Sequence, residues 1–114
     1  MNVEMIFSQI ISKKKNLIYQ DKKVTAFYDK YPKAPIHILI IPNILIPTAN
    51  DVTKENKFFF MHMFYAATKI AKKIGIHKTG YRLILNCNKH AGQEIKYIHL
   101  HLLGGKFLGP LLSK

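Results

Sequence analysis

Apolar positions along this chain follow two rhythms, one helical and one alternating. Over residues 3–12, Ile6, Phe7, Ile10 and Ile11 recur at steps of three and four, which predicts a short N-terminal helix with one apolar face. The same step returns in residues 54–74, where Phe60, Phe64, Ala67, Ile70, Ala71 and Ile74 form a stripe and Gly75 supplies a stop, so this is the one long helix. Thr53 is its expected N-cap, with Glu55 in the first turn, where the helix dipole favours negative charge. Residues 17–19 and 24–28 are β-prone runs parted by the charged turn Asp21-Lys22-Lys23 and predict a hairpin. Residues 37–41, rich in isoleucine and closed by Pro42, predict a third strand, preceded by a loop that the two prolines of residues 30–35 enforce. Residues 81–86 and 97–103 predict two more, joined by the polar, glycine-containing loop 87–96. Five strands reached mostly by hairpins, with two helices covering one face, predict an antiparallel α+β sandwich forming a single domain over residues 1–114.

Composition narrows the class. A chain of 114 residues with 48% hydrophobic and 21% charged positions has enough apolar surface to fold and is neither disordered nor collagen-like. Its longest apolar stretches, residues 38–46 and 58–67, are interrupted by Pro42 and His62 and fall short of the ~20 residues a spanning helix needs, so no membrane partner is expected. Residues 1–11 carry Glu4, and the lysines, Lys13 to Lys15, come after the apolar positions, the reverse of a secretory signal. The lone Cys87 requires no oxidising compartment, and the expected location is the cytoplasm. Eighteen basic against six acidic residues give a net charge of +12, but Arg82 is the only arginine and the lysines are scattered. Base reading and bidentate phosphate clamps lean on the guanidinium fork, so this charge reads as a solvated surface, not a nucleic-acid footprint.

The chemistry concentrates in the last strand. Tyr97, His99 and His101 alternate with Ile98, Leu100 and Leu102, which places the three rings ~7 Å apart along one face of a strand. Gly104-Gly105 then ends the strand, and Gly92 in the preceding loop would let backbone N–H groups approach an oxyanion. A neutral imidazole is a competent nucleophile toward phosphorus, and a second can hydrogen-bond the phosphoryl oxygens. The same pair also suits zinc, with a third ligand from His37 or His90, and histidines satisfied by local hydrogen bonds are the third reading. His62 and His77 belong to no motif and read as surface or packing residues.

The segment from Gly92 through Gln93, Glu94, Tyr97, His99 and His101 to Gly104-Gly105 resembles the signature of the histidine-triad (HIT) family, most closely its Hint branch of purine nucleoside phosphoramidases. The resemblance extends to Phe27-Tyr28-Asp29, to residues 34–42 and to residues 81–86, and so covers nearly the whole chain. It implies a HIT-like fold, a five-stranded antiparallel sheet with one short and one long helix. It further implies hydrolysis of the P–N bond of a nucleoside phosphoramidate through a nucleotidyl-histidine intermediate, without a cofactor, in a homodimer. By this resemblance His99 is the nucleophile, His101 contacts the phosphate and His37 supports the site from a neighbouring strand. Asp29 receives the ribose hydroxyls and Phe27 forms part of the base slot, while Asn86, Gly92, Gln93 and Glu94 surround phosphate and sugar. Tyr97 stands where the family's first histidine is expected, keeping a ring and a hydrogen-bonding tip at the nucleotide site but no capacity for positive charge. That departure implies either reduced turnover or a protein that binds nucleotides without hydrolysing them efficiently. Ala91 replaces a common glycine, and residues 12–16 are shorter than in close relatives.

Overall fold

The computed structural model describes residues 3–112, the side chains of Val3 and Glu4 excepted. Helix α1 (Val3–Lys13) leads into strands β1 (Leu17–Gln20), β2 (Val24–Tyr28) and β3 (Ile36–Pro42), followed by helix α2 (Lys57–Ile74) and strands β4 (Tyr81–Leu85) and β5 (Leu100–Gly104). The strands form one sheet in the order β1-β2-β3-β5-β4, with every neighbouring pair antiparallel. The expected α+β architecture is therefore the observed one. Asp21 makes the β1–β2 turn by accepting the N–H groups of Lys23 and Val24 at 2.7 and 2.9 Å, a side chain standing in for a backbone turn.

The helices do not share a face of the sheet as expected. Strand alternation sends Ile38 and Ile40 of β3, with Leu100 and Leu102 of β5, toward α2, while Leu39 and Ile41 join Phe7 of α1, Phe27 and Tyr97 on the opposite side. The apolar stripe of α2 is also rotated from the expected one. Met63, Ala66, Ala67, Ile70 and Ala71 are buried, whereas Phe64 faces outward at 43% exposure. Alanines along that face let the helix lie against the strands, where a phenylalanine would hold it off. Helix α2 starts three residues later than its expected N-terminus, because Thr53 and Asn56 bond each other's backbone N–H groups and close a separate turn ahead of Lys57.

Strand β5 also begins late, at Leu100 instead of Tyr97. The N–H of Ile98 donates to Ile46 O at 2.8 Å, in the connection after β3, so the backbone ahead of Leu100 is tied to a loop and not to a ladder. Gly105, at φ +91°, follows the strand, and a Cβ there would come within 2.9 Å of Pro35 Cβ. Glycine thus lets the β5 exit pass close to the loop that leads into β3. No helix among the described residues is long and apolar enough to cross a membrane.

Candidate active site

On the α1 side of the sheet, lined by no residue of that short helix, a cavity of about 390 Å³ opens over β3 and β5. Its lining brings together Asp29, His37, Asn86, Gly92, Glu94, His99 and His101, all expected at the site. His37 and His101 come from neighbouring strands in which Leu39 pairs with His101 and His37 with Leu103. Their ring centroids are 5.1 Å apart, and those of His99 and His101 5.0 Å, closer than the ~7 Å repeat of a strand, which His99 precedes because β5 begins at Leu100.

The hydrogen bonds fix where each proton resides. The N–H of Lys33 donates to His37 Nδ1 at 3.0 Å, so neutral His37 carries its own hydrogen on Nε2. That Nε2 lies 2.9 Å from His101 Nδ1 and 3.4 Å from Asp29 Oδ2. His101 Nδ1 is accordingly an acceptor, and Nε2 of His101 is a donor. His99 is set independently: its Nδ1 is 2.9 Å from Tyr97 O, a carbonyl that can only accept, so Nδ1 holds the hydrogen and Nε2 the lone pair. The edge of the Phe7 ring, 5.7 Å away, packs against the His99 ring.

Burial holds two of these histidines neutral. His101 is pushed down to about 4, first by desolvation and then by the neighbouring His99 and His37, against the pull of Asp29. His37 is lowered mainly by desolvation, with Lys33 and His99 acting in the same direction and Asp29 opposing. With the Nε2 hydrogen of His37 directed at His101 Nδ1, the 3.4 Å approach of Asp29 Oδ2 is a polar contact with a neutral ring and not an ion pair.

Three expected residues do not reach the cavity. Phe27 lies under the edge of Phe7 at 5.9 Å within the apolar cluster, so the apolar wall of the cavity is made by Leu39 and Ile95 instead. Gln93 is buried and bonded to three backbone groups, Asn88 N, Pro47 O and Ile95 O. Tyr97 is 1% exposed, its hydroxyl donating to Pro42 O at the end of β3, and burial pushes the phenol up to about 12. Only the backbone of Tyr97 serves the histidines. Tyr31, Lys33, Leu39 and Ile95 line the cavity without having been expected there. Leu39 was within reach of the strand pattern, since it shares the face of His37. Tyr31 and Lys33 lie in a loop whose course the sequence left open.

Asp29, His37 and His101 offer ligand atoms within 4.8 Å of one another, the one such metal-capable group among the described residues. The donor set fits a cation poorly. A metal on His37 Nε2 would force a hydrogen onto Nδ1, against the N–H of Lys33 already directed there. His90, on the exposed turn Lys89–Ala91, is not part of the group.

A family model described as the HIT domain matches residues 11–108. The purine nucleoside phosphoramidase of Escherichia coli K12 is 55% identical over 115 residues, covering 99% of this chain and 97% of that protein. A HIT-like protein of Buchnera aphidicola from Acyrthosiphon pisum is 57% identical over 110 residues, covering 95% and 96%. Among solved structures, a HIT family hydrolase from Clostridium thermocellum superposes with a TM-score of 0.88 at 38% identity, covering 95% of this chain and 96% of that one. The histidine-triad protein of Clostridium difficile gives a TM-score of 0.89 at 35% identity, with coverage of 96% and 97%. The chain belongs to the HIT family. Within it, the sequence falls in the branch that includes the Escherichia coli phosphoramidase, and it is a hydrolase of that type.

Proposed function

We propose that this hydrolase binds purine nucleoside phosphoramidates and cleaves their P–N bond through a covalent intermediate on His99. The observation that carries the reading is the bond from His99 Nδ1 to Tyr97 O, which leaves Nε2 with its lone pair on a ring that lines the cavity. In the first step Nε2 attacks the α-phosphorus, the P–N bond breaks, and the amine leaves with the electron pair and takes a proton from solvent. The ring becomes cationic as the P–Nε2 bond forms, which strengthens the hydrogen bond from Nδ1 to Tyr97 O. His101 Nε2–H hydrogen-bonds a phosphoryl oxygen, and that donor is set by the bond from His37 Nε2–H to His101 Nδ1, which puts the hydrogen of the neutral ring on Nε2. Water then displaces His99 from phosphorus, releasing the nucleoside monophosphate and restoring the imidazole. Asp29 accepts the ribose hydroxyls, while Asn86, Gly92 and Glu94 border phosphate and sugar.

The reaction takes place in the cytoplasm, in a homodimer. Support for the dimer comes from the outer side of α2, where Phe58, Met61, Phe64 and Tyr65 are exposed, and from β4, an edge strand of the sheet. Light scattering at micromolar concentration tests it, with a monomer mass as the contrary result.

Rapid quench with labelled adenosine phosphoramidate tests the chemistry: label appears on the wild-type chain and is absent from His99→Ala. No label on the wild type, with hydrolysis proceeding, would sink the covalent step. A second reading, a nucleotide-binding protein weakened by Tyr97, is disfavoured because that side chain is buried and only its carbonyl meets His99. A large gain of rate in Tyr97→His would restore that reading. Zinc binding is disfavoured by the proton on His37 Nε2, and stoichiometric zinc in untagged protein would restore it.

A further inference from the structure

Asn88, just after β4, has φ 66° and ψ −170°, a backbone conformation that is essentially glycine-only, although the residue carries a side chain. Its hydrogen bonds account for its persistence there. Its N–H donates to Gln93 Oε1 at 2.8 Å, and its carbonyl accepts the N–H of Gln93 at 3.1 Å, so Gln93 grips both sides of the strained residue. Lys96 Nζ holds the Asn88 side chain at 2.9 Å. The amide nitrogen of Gln93 donates in turn to Pro47 O at 2.8 Å and Ile95 O at 2.9 Å, tying the loop to the connection after β3. With 8% of its surface exposed, Gln93 makes these bonds away from water, where losing them leaves buried polar groups without partners. The residues so arranged, Gly92, Glu94 and Ile95, form one wall of the cavity, and the chain continues directly into His99.

We propose that Gln93 is a positioning residue: by holding Asn88 in this strained conformation it sets the wall formed by Gly92, Glu94 and Ile95 against the bound nucleotide, a role that rests on the nucleotide reading of the site. Gln93 itself touches no substrate. The strained residue and its clamp form a unit, so relief of the strain substitutes for the clamp.

The test compares wild type, Gln93→Met, Asn88→Gly and the double variant. AMP affinity is measured by calorimetry and KM and kcat with an adenosine phosphoramidate. Gln93→Met is of similar volume and keeps the backbone bond to Asn88 O but makes none of the three side-chain bonds, and it is expected to weaken AMP binding and raise KM roughly tenfold with kcat nearly unchanged. A merely structural loss would instead lower the folded fraction, and with it apparent kcat, at constant KM. Asn88→Gly alone is expected to retain wild-type affinity, and in the double variant it restores most of what Gln93→Met loses. Unchanged affinity in Gln93→Met, or no recovery in the double variant, overturns the proposal. Should Gln93→Met not fold, Gln93→Asn, too short to reach all three partners, is held to the same two outcomes. If the wild type binds no AMP, the nucleotide reading fails separately. Hydrogen exchange over residues 88–95 then decides the clamp: faster exchange in Gln93→Met with β3 and β5 unchanged supports it, and unchanged exchange refutes it.

Discussion

The two faces of the sheet are built from the same strands and have opposite fates. Toward α2, β3 and β5 present Ile38, Ile40, Leu100 and Leu102, all at 0% exposure beneath a helix of 18 residues. Toward α1 they present His37, Leu39, Ile41 and His101, covered in part by a helix of 11 residues whose Phe7 clusters with Leu39 and Ile41 and meets the ring of His99 at the cavity's edge. The first face is closed by hydrocarbon and supplies stability; the second is closed at one end and open at the other, where the histidines line a cavity. The difference teaches that the site is the part of the sheet the short helix leaves uncovered, with polar side chains substituted at alternate positions of strands whose other positions remain core.

Neighbours in sequence on opposite faces give the sharpest way to break this comparison. His99→Ala is expected to lower kcat by roughly 10³-fold or more while leaving the melting temperature nearly unchanged, checked by steady-state kinetics beside thermal unfolding. Leu100→Ala should do the reverse, costing about 2–5 kcal/mol in denaturant unfolding with kcat per folded molecule retained. Equal damage to both properties in either variant would dissolve the division.

A smaller effect concerns acid. Between about 4, where His101 titrates in the folded chain, and 6.5, its ordinary value, the unfolded chain binds more protons than the folded one. Stability due to this group therefore rises with pH through that window and is level above it, and the lowered His37 adds in the same direction. Denaturant curves from pH 4 to 8 are expected to show a shallower slope in His101→Gln than in wild type, and an identical slope would contradict the burial described. Tyr97→Phe removes the donor to Pro42 O and should cost about 1–2 kcal/mol, with kcat within a few-fold of wild type because Tyr97 O still aligns His99. The smallest effect is expected at His77, exposed and remote from the cavity, where alanine should change stability by less than ~0.5 kcal/mol and kcat not at all.

What could be read in advance follows the same division. The hydrophobic face declared itself in the alternation of β3 and in the step of α2, since both patterns are local. The rotation of the α2 stripe was hidden because apolarity alone does not distinguish Phe64 from Ala66, whereas packing distance does. The late start of β5 was equally hidden, for alternation from Tyr97 onward says nothing of Ile46 O, which claims the N–H of Ile98. At the site, His37, His99, His101, Asp29, Asn86, Gly92 and Glu94 came from motif positions and line the cavity together. Phe27, Gln93 and Tyr97 came from the same motifs, yet their surroundings depend on distant partners, Phe7, Pro47 and Pro42, that a local pattern does not contain.

The hydrogen that orients His99 is received by a main-chain oxygen, an atom every amino acid brings with it. Mutation at position 97 can exchange the ring, its charge and its size, but it cannot delete that acceptor. A phenol where the family resemblance led one to expect imidazole is then a change of upholstery around an unaltered hinge, and the proposed reaction depends on the path of the backbone through residue 97 more than on the letter written there.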